Sequence, residues 1–253
     1  MVLSDKKNLE SKILTGPAPA SASARIIDFD ETDVDEYSGY FAMVIDDVLA
    51  REECAELIAL VQPAEGAPWP AATVTTYNGD QIHSPETRHC GRIIYNSRTI
   101  GDRLLARILP HLPPGVVMLD NVPDITGQMP IIRNETLGVS RFNEALKFLK
   151  YEAGDFFRPH CDAHYTDKDA GETSYLTAHF YLNGGGNGEE DGVEGGATRF
   201  GVDFEDPSAG KLDVDPKAGS VLIFQQRDLY HEGADVTRGT KYTMRADIMY
   251  KKI

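Results

Sequence analysis

Apolar and polar residues alternate strictly along two long segments in the second half of the chain. A period of two predicts extended strands. In 176–183 one face carries Leu176, Ala178, Phe180 and Leu182, and the other Thr177, His179, Tyr181 and Asn183. In 241–250 Tyr242, Met244, Ala246, Ile248 and Tyr250 oppose Lys241, Thr243, Arg245 and Asp247. Shorter runs at 145–151, 197–200, 221–224 and 230–236 are separated by turn residues, with no helical pattern between them. Such spacing predicts an antiparallel sandwich or barrel. Two arrangements fit the alternation. Either the polar faces meet solvent, or the apolar faces pack outward against helices and the polar faces line an interior site.

The period changes upstream. After a strand predicted over 40–45, residues 51–61 place Cys54, Leu57, Ile58 and Val61 on one helical stripe, with Asp46 or Asp47 available as a cap. A second helix is predicted over 100–109, with Leu104, Leu105 and Ile108 apolar and Pro110 ending it. Between them 63–91, around Trp69, predicts an irregular segment or loose hairpin, and long loops of this kind often carry function. Residues 1–24 are rich in Lys, Ser, Ala and Pro without periodicity, and predict a flexible tail. The expected organisation is therefore a tail (1–24), an α/β support region (25–140) and a strand-rich core (141–253) of the same domain. The Gly- and Glu-rich stretch 184–192 lacks a phosphate-loop lysine and reads as a solvated connection.

Composition narrows the function classes. A chain of 253 residues can form one large β-rich domain. Its net charge of −15 argues against a nucleic-acid groove and favours neutral or cationic substrates. No stretch approaches the ~20 apolar residues of a membrane span, and the N-terminus has no apolar signal core. The cysteines Cys54, Cys90 and Cys161 form no C-x-x-C pair, as expected in a reducing compartment. A soluble cytoplasmic or nuclear protein, without a nucleic-acid or membrane partner, is expected.

Candidate chemistry centres on His160-Cys161-Asp162, with His231 and Lys241 further on. Two neutral imidazoles and one carboxylate on one face of a metal form the facial triad of non-haem Fe(II) oxygenases, which leaves positions open for co-substrate and O₂. His160 and Asp162 lie two apart, so on an extended strand end they point to the same side, while Cys161 points away. Alone, H-x-D is a short match, and unrelated surface histidines with a turn aspartate would produce it too.

Its surroundings carry more. Tyr151, Gly154 and Phe157 precede the pair. Thr177, Tyr181, Leu182 and Asn183 follow, then Gly195-Gly196-Ala197-Thr198-x-Phe200, then Pro216, Gly219, Ile223 and Phe224, then His231-Glu232-Gly233 with Lys241-Tyr242. In this order the motifs resemble the Fe(II)- and 2-oxoglutarate-dependent dioxygenases of the prolyl 4-hydroxylase type, over residues 143–250. The resemblance implies a mainly β (α+β) fold, a double-stranded β-helix (jelly roll) core with N-terminal supporting helices. It implies an oxidoreductase that hydroxylates an unactivated C–H bond of a peptidyl-prolyl or small-molecule substrate and releases succinate and CO₂. Fe(II), 2-oxoglutarate and O₂ are the implied cofactors, with ascorbate as a supporting reductant.

Carried over by position, His160, Asp162 and His231 would be the catalytic metal ligands. Lys241 would pair with the distal carboxylate of 2-oxoglutarate, and Tyr181 would hydrogen-bond the same group. Thr177 shares that strand face, and Tyr151 would lie near the co-substrate's other end. Arg245, on the face of Lys241 and Thr243, would bind co-substrate or substrate; Arg238 is a further competitor for the carboxylate. His179 would point inward near the metal. Tyr242 stands where many prolyl hydroxylases place tryptophan, so the chemistry carries over better than the substrate. Two rival readings are a cupin-type metalloenzyme without 2-oxoglutarate, using His164 or His179 as a third histidine, and a non-catalytic jelly-roll binding protein.

Overall fold

The alternating segments pair into two antiparallel sheets in the computed structural model of the chain, which describes residues 3–76, 78–185, 192–201 and 210–253. The helices that matter here are α1 (Leu3–Lys12), α2 (Arg51–Val61) and α3 (Arg98–Ile108). The strands are β1 (Ser23–Ile26), β2 (Ala42–Asp46), β3 (Arg88–His89), β4 (Gly91–Asn96), β5 (Leu137–Phe142), β6 (Ala145–Tyr151) and β7 (Phe156–His160). They continue as β8 (Glu172–Tyr181), β9 (Thr198–Phe200), β10 (Leu212–Val214), β11 (Val221–Gln225), β12 (His231–Gly233) and β13 (Lys241–Lys252).

The larger sheet runs β1-β2-β11-β8-β13. Strand β13 is long enough to pair with β6 through its first half, from Lys241↔Tyr151 to Arg245↔Lys147. Its second half pairs with β5, from Ile248↔Phe142 to Lys252↔Leu137, and β4 extends the sheet beyond β6. The smaller sheet runs β10-β9-β12-β7-β3. Together they form the double-stranded β-helix, a mainly β core with supporting helices.

Of the two arrangements open to the alternation, the interior one holds. Leu176, Ala178, Phe180, Met244, Ala246 and Ile248 share one apolar cluster with Leu57 of α2 and Leu104 and Ile108 of α3. The opposite face carries Thr177, Thr243, Lys241 and Asp247, all buried although polar. Polar side chains enclosed this way must find partners inside the fold, which marks this face as the site.

The helices form for local reasons. Ser97 caps α3 by accepting the Ile100 N–H at 3.0 Å, so the helix starts at Arg98. Helix α2 has the expected bounds, but its start is not capped by Asp46 or Asp47. Asp47 takes a left-handed φ of 55° and both aspartates pair with Lys217, while the Ala50 N–H donates to Glu53 Oε2 at 2.9 Å. Glu53 also grips the buried Arg107 guanidinium at 2.6 and 2.7 Å, tying α2 to α3.

The N-terminal segment corrects the expectation of a flexible tail over 1–24. It contains α1 and docks: Ile13 and Leu14 are buried in the main cluster. Arg103 of α3 donates to the carbonyls of Glu10, Ser11 and Ile13 at 3.1, 3.2 and 2.5 Å. The polar composition misled because protein donors, rather than water, satisfy this backbone. Residues 74–75 and 81–82 pair as the loose hairpin expected near Trp69. Strands β4 and β5 were not anticipated. Residues 186–191 of the Gly- and Glu-rich connection lie outside the described residues. No helix among the described residues is long and apolar enough to cross a membrane.

Candidate metal centre

Strands β7 and β12 are antiparallel neighbours in the smaller sheet, and their register sets His160 directly opposite His231. The two rings stand 4.4 Å apart between centroids. Asp162 follows just past the end of β7 and turns its carboxylate between them. Its Oδ1 lies 3.7 Å from His160 Nε2, and its Oδ2 3.9 Å from His231 Nε2. One ligand atom from each residue lies within 4.8 Å of the others.

The tautomers follow from the hydrogen bonds. His160 Nδ1 faces the Arg158 carbonyl at 2.9 Å and His231 Nδ1 faces the Leu229 carbonyl at 3.1 Å. A carbonyl only accepts, so each Nδ1 carries the proton and each Nε2 keeps its lone pair toward Asp162. Phe157 stacks on His160 at 3.6 Å, and Phe224 meets the His231 ring edge-on at 4.6 Å. Thr177 donates its hydroxyl to Asp162 Oδ2 at 2.6 Å. Two oriented neutral imidazoles and one carboxylate are the donor set that suits Fe(II), and these residues fit that ion.

Electrostatics support the same state. Burial, with the neighbouring His231, holds the His160 pKa well below the imidazole range, and burial lowers His231 as well. Both rings are thus neutral at neutral pH, as a cation requires. Burial alone would raise Asp162, but Arg245 and the two imidazoles beside it hold the carboxyl well below the usual range. Arg245 donates to Asp162 Oδ1 at 2.5 Å and to Asp247 Oδ1 at 3.0 Å. Asp247 also takes Lys147 at 2.5 Å.

Lys241 lines the same cavity as the triad, together with Tyr151, Thr198 and His179. Only 1% exposed, its ammonium donates to the Gly196 carbonyl at 2.6 Å and sits 4.5 Å above the Tyr151 ring. It pairs with no carboxylate among the described residues, and burial pulls its pKa from 10.5 to about 8. Gly196 makes room for it. At φ 71° a Cβ there would lie 2.9 Å from Val236 Cγ2 and 3.1 Å from Lys241 Cδ. A buried cation and a set of metal ligands lining one cavity suit a dianion that reaches both.

The structure brings His160, Asp162, His231, Lys241 and Tyr151 together, and relocates three other expected site residues. Thr177 spends its hydroxyl on Asp162, so it positions a ligand carboxylate rather than facing a co-substrate. Tyr181 packs with Phe200 and Phe224, and its hydroxyl donates to Thr198 Oγ1 at 2.7 Å. Strand β9 covers Tyr181, and Thr198 lines the cavity in its place. Arg245 is committed to Asp162 and Asp247, and Arg238 pairs with Glu194 at 2.8 Å near the surface.

His179 does point inward. Its Nε2 is buried without a hydrogen-bond partner, and burial, helped by Lys241, lowers its pKa to about 3. It stands outside the triad's ligand set, and His164 is exposed, so the third histidine that the cupin reading requires is not at the centre. Sequence reasoning missed Arg88, Arg92 and Lys147, which line the cleft outside the triad. The alternation Arg88-x-Cys90-x-Arg92 was the available signal.

Comparison with known proteins agrees with this geometry. Residues 146–246 match the family model of the 2OG-Fe(II) oxygenase superfamily. Among solved structures, the chain is similar to a prolyl hydroxylase from Trichoplax adhaerens in complex with a hypoxia inducible factor peptide fragment. That match has 12% identity and a TM-score of 0.50, covering 97% of this chain and 91% of that one. A viral collagen prolyl hydroxylase from Paramecium Bursaria Chlorella virus-1 matches at 19% identity and a TM-score of 0.45, covering 84% and 97%. A Pseudomonas putida prolyl-4-hydroxylase matches at 16% identity and a TM-score of 0.45, covering 85% and 95%. At 12% identity, the likeness to the Trichoplax adhaerens structure speaks for the fold alone. No curated protein matches the chain by sequence.

Proposed function

We propose, from the premise that residues 146–246 form a 2OG-Fe(II) oxygenase domain, that His160, Asp162 and His231 hold Fe(II) and that Lys241 binds the distal carboxylate of 2-oxoglutarate. The observation that carries these assignments is the pairing of an oriented His–Asp–His set with a buried, carboxylate-free lysine in one cavity. When bound, iron and 2-oxoglutarate supply the oxidising chemistry with O₂, releasing succinate and CO₂ as a substrate C–H bond is hydroxylated.

The chain's own residues do the rest. Thr177 and the Arg158 and Leu229 carbonyls aim the three ligands, so that the ion meets a prepared set. Lys241 exchanges its bond to the Gly196 carbonyl for the incoming carboxylate, with Tyr151 and Thr198 flanking. Phe157 and Phe224 pack against the histidine rings and keep water from their faces. The substrate is a peptidyl or small-molecule C–H donor that approaches from the open cleft beside His160 and Asp162.

The test is anaerobic. Adding 2-oxoglutarate to the Fe(II) protein should produce the weak visible charge-transfer band of a chelated keto acid. Its absence would sink the proposal. Lys241→Ala should raise the KM for 2-oxoglutarate sharply, and an unchanged value would return the argument to a metalloenzyme that does not use it.

A further inference from the structure

Outside the triad, the interior face opens into a cleft of about 570 Å³ that shares Arg88, Leu149, Phe157, His160, Asp162 and Arg245 with the inner cavity, whereas Arg92 and Lys147 line the cleft and not that cavity. Four cationic side chains border it: Arg88, Arg92, Lys147 and Arg245. Among the described residues that line it, Asp162 is the sole acid. This concentration runs against a chain whose net charge is −15.

Half of the basic groups are already answered. Arg245 is divided between Asp162 and Asp247, and Lys147 rests on Asp247. The other two are not. Arg88, 8% exposed, donates to the Cys90 sulfur at 3.3 Å and the Thr73 carbonyl at 3.5 Å and bonds the Tyr151 hydroxyl, all neutral partners, with its guanidinium 4.3 Å from the centre of the Phe157 ring. Arg92 donates to the same Thr73 carbonyl at 3.3 Å, to Thr73 Oγ1 at 2.6 Å and to Gln81 Oε1 at 3.4 Å.

Two guanidinium groups thus converge on one neutral oxygen, with no carboxylate partner among the described residues. Burial and then the charge of Arg88 lower the Arg92 pKa, whereas for Arg88 burial is outweighed by Tyr151, Cys90 and Asp162, which raise its pKa, so Arg92 is the less compensated of the two. Such a pair inside a partly desolvated cleft is unfavourable unless a ligand supplies the anion. The fork of a guanidinium matches a carboxylate or phosphate bidentately.

Resting on the iron site proposed above, we propose that the molecule oxidised by this protein carries an anionic oxygen group, a carboxylate or phosphate, bound by Arg88 and Arg92. Leu149 and Phe157 line the same cleft, and Phe157 meets both the Arg88 guanidinium and the His160 ring, so the substrate's hydrocarbon portion packs against this apolar wall beside the metal ligands. The expectation from net charge, that neutral or cationic substrates are favoured, is thereby reversed at the site. The charge of the surface and that of the cleft have opposite signs.

Titration calorimetry on the anaerobic Fe(II)–2-oxoglutarate protein tests this, because 2-oxoglutarate then occupies the inner cavity with Lys241, and substitution of Arg92, which lines the outer cleft and not that cavity, reads the outer cleft. The probes are N-acetylglycine, its neutral amide, and inorganic phosphate. At least one anion should bind about tenfold or more tighter than the amide, as expected for charge-assisted hydrogen bonds. A preference for N-acetylglycine identifies a carboxylate, and one for phosphate a phosphoryl group. Arg92→Gln should abolish the preference while the 2-oxoglutarate band persists, and Arg92→Lys should restore part of it. Equal binding of anion and amide, binding of neither anion at tens of millimolar, or a preference that survives Arg92→Gln would overturn the proposal. If the 2-oxoglutarate band itself fails to form, the iron reading falls, and comparing Arg92→Gln with its parent in the metal-free Lys241→Met protein, which lacks the Lys241 ammonium, still reads the anion preference.

Discussion

Burying the Lys241 ammonium against a carbonyl and an aromatic face, with no carboxylate among the described residues, sets folding against the proposed binding role at one position. Its pKa falls from 10.5 in water to about 8 in the fold, so its charge opposes folding fully below about pH 8. Between about 8 and 10.5 the unfolded chain holds the proton that the folded chain has released, and stability rises with pH there. Lys241→Met should accordingly stabilise the protein by roughly 1–3 kcal/mol in urea denaturation while abolishing 2-oxoglutarate binding. Binding itself needs the proton. Affinity for 2-oxoglutarate should fall above pH 8, by about tenfold per unit, and titrations at pH 7 and 9 check the sign. At the metal, Thr177→Val removes the donor on Asp162 Oδ2 and should weaken metal binding roughly 10- to 100-fold. A competition titration with Co(II) reads that loss without turnover.

At the scale of elements, β13 builds most of the interior wall by alternating Lys241, Thr243, Arg245 and Asp247 with an apolar row. Asp247, fully buried, joins β13 to β6 through Lys147 and holds Arg245 against Asp162, the proposed metal ligand. Asp247→Asn leaves both cations short of a partner and should cost roughly 3–5 kcal/mol, seen as a lower urea midpoint. The chain announced the elements with clear periodicity: α2, β6, β8, β11 and β13. It hid β4, where exposed Ile94 breaks the alternation beside Arg92, and β5, where Gly138 and Arg141 interrupt it. It also misplaced Tyr181. Strand parity says which side a residue faces, whereas the position of β9 in the other sheet decided that Tyr181 is covered and Thr198 faces the cavity.

At the scale of the whole molecule, α1 and the residues after it brace α3 rather than trail in solvent. Removing residues 1–14 exposes the pocket filled by Ile13 and Leu14 and should cost about 3–5 kcal/mol by denaturation, with the 2-oxoglutarate band intact. A loss of that band as well would show that the docked segment shapes the site from a distance.

The sequence by itself determined the strands of the core, the His160–Asp162–His231 set and Lys241. Alternation is a local property, and the spacing of those residues matches a recurring motif. Only the tertiary structure decided that the polar face is the interior one, that Thr177 serves Asp162, and that Arg88 and Arg92 meet on one carbonyl. Those facts depend on which strands become neighbours, and neighbourhood is set by the packing of distant segments against a common core. Net charge, a sum over the surface, carried no information about the sign of the potential inside the cleft.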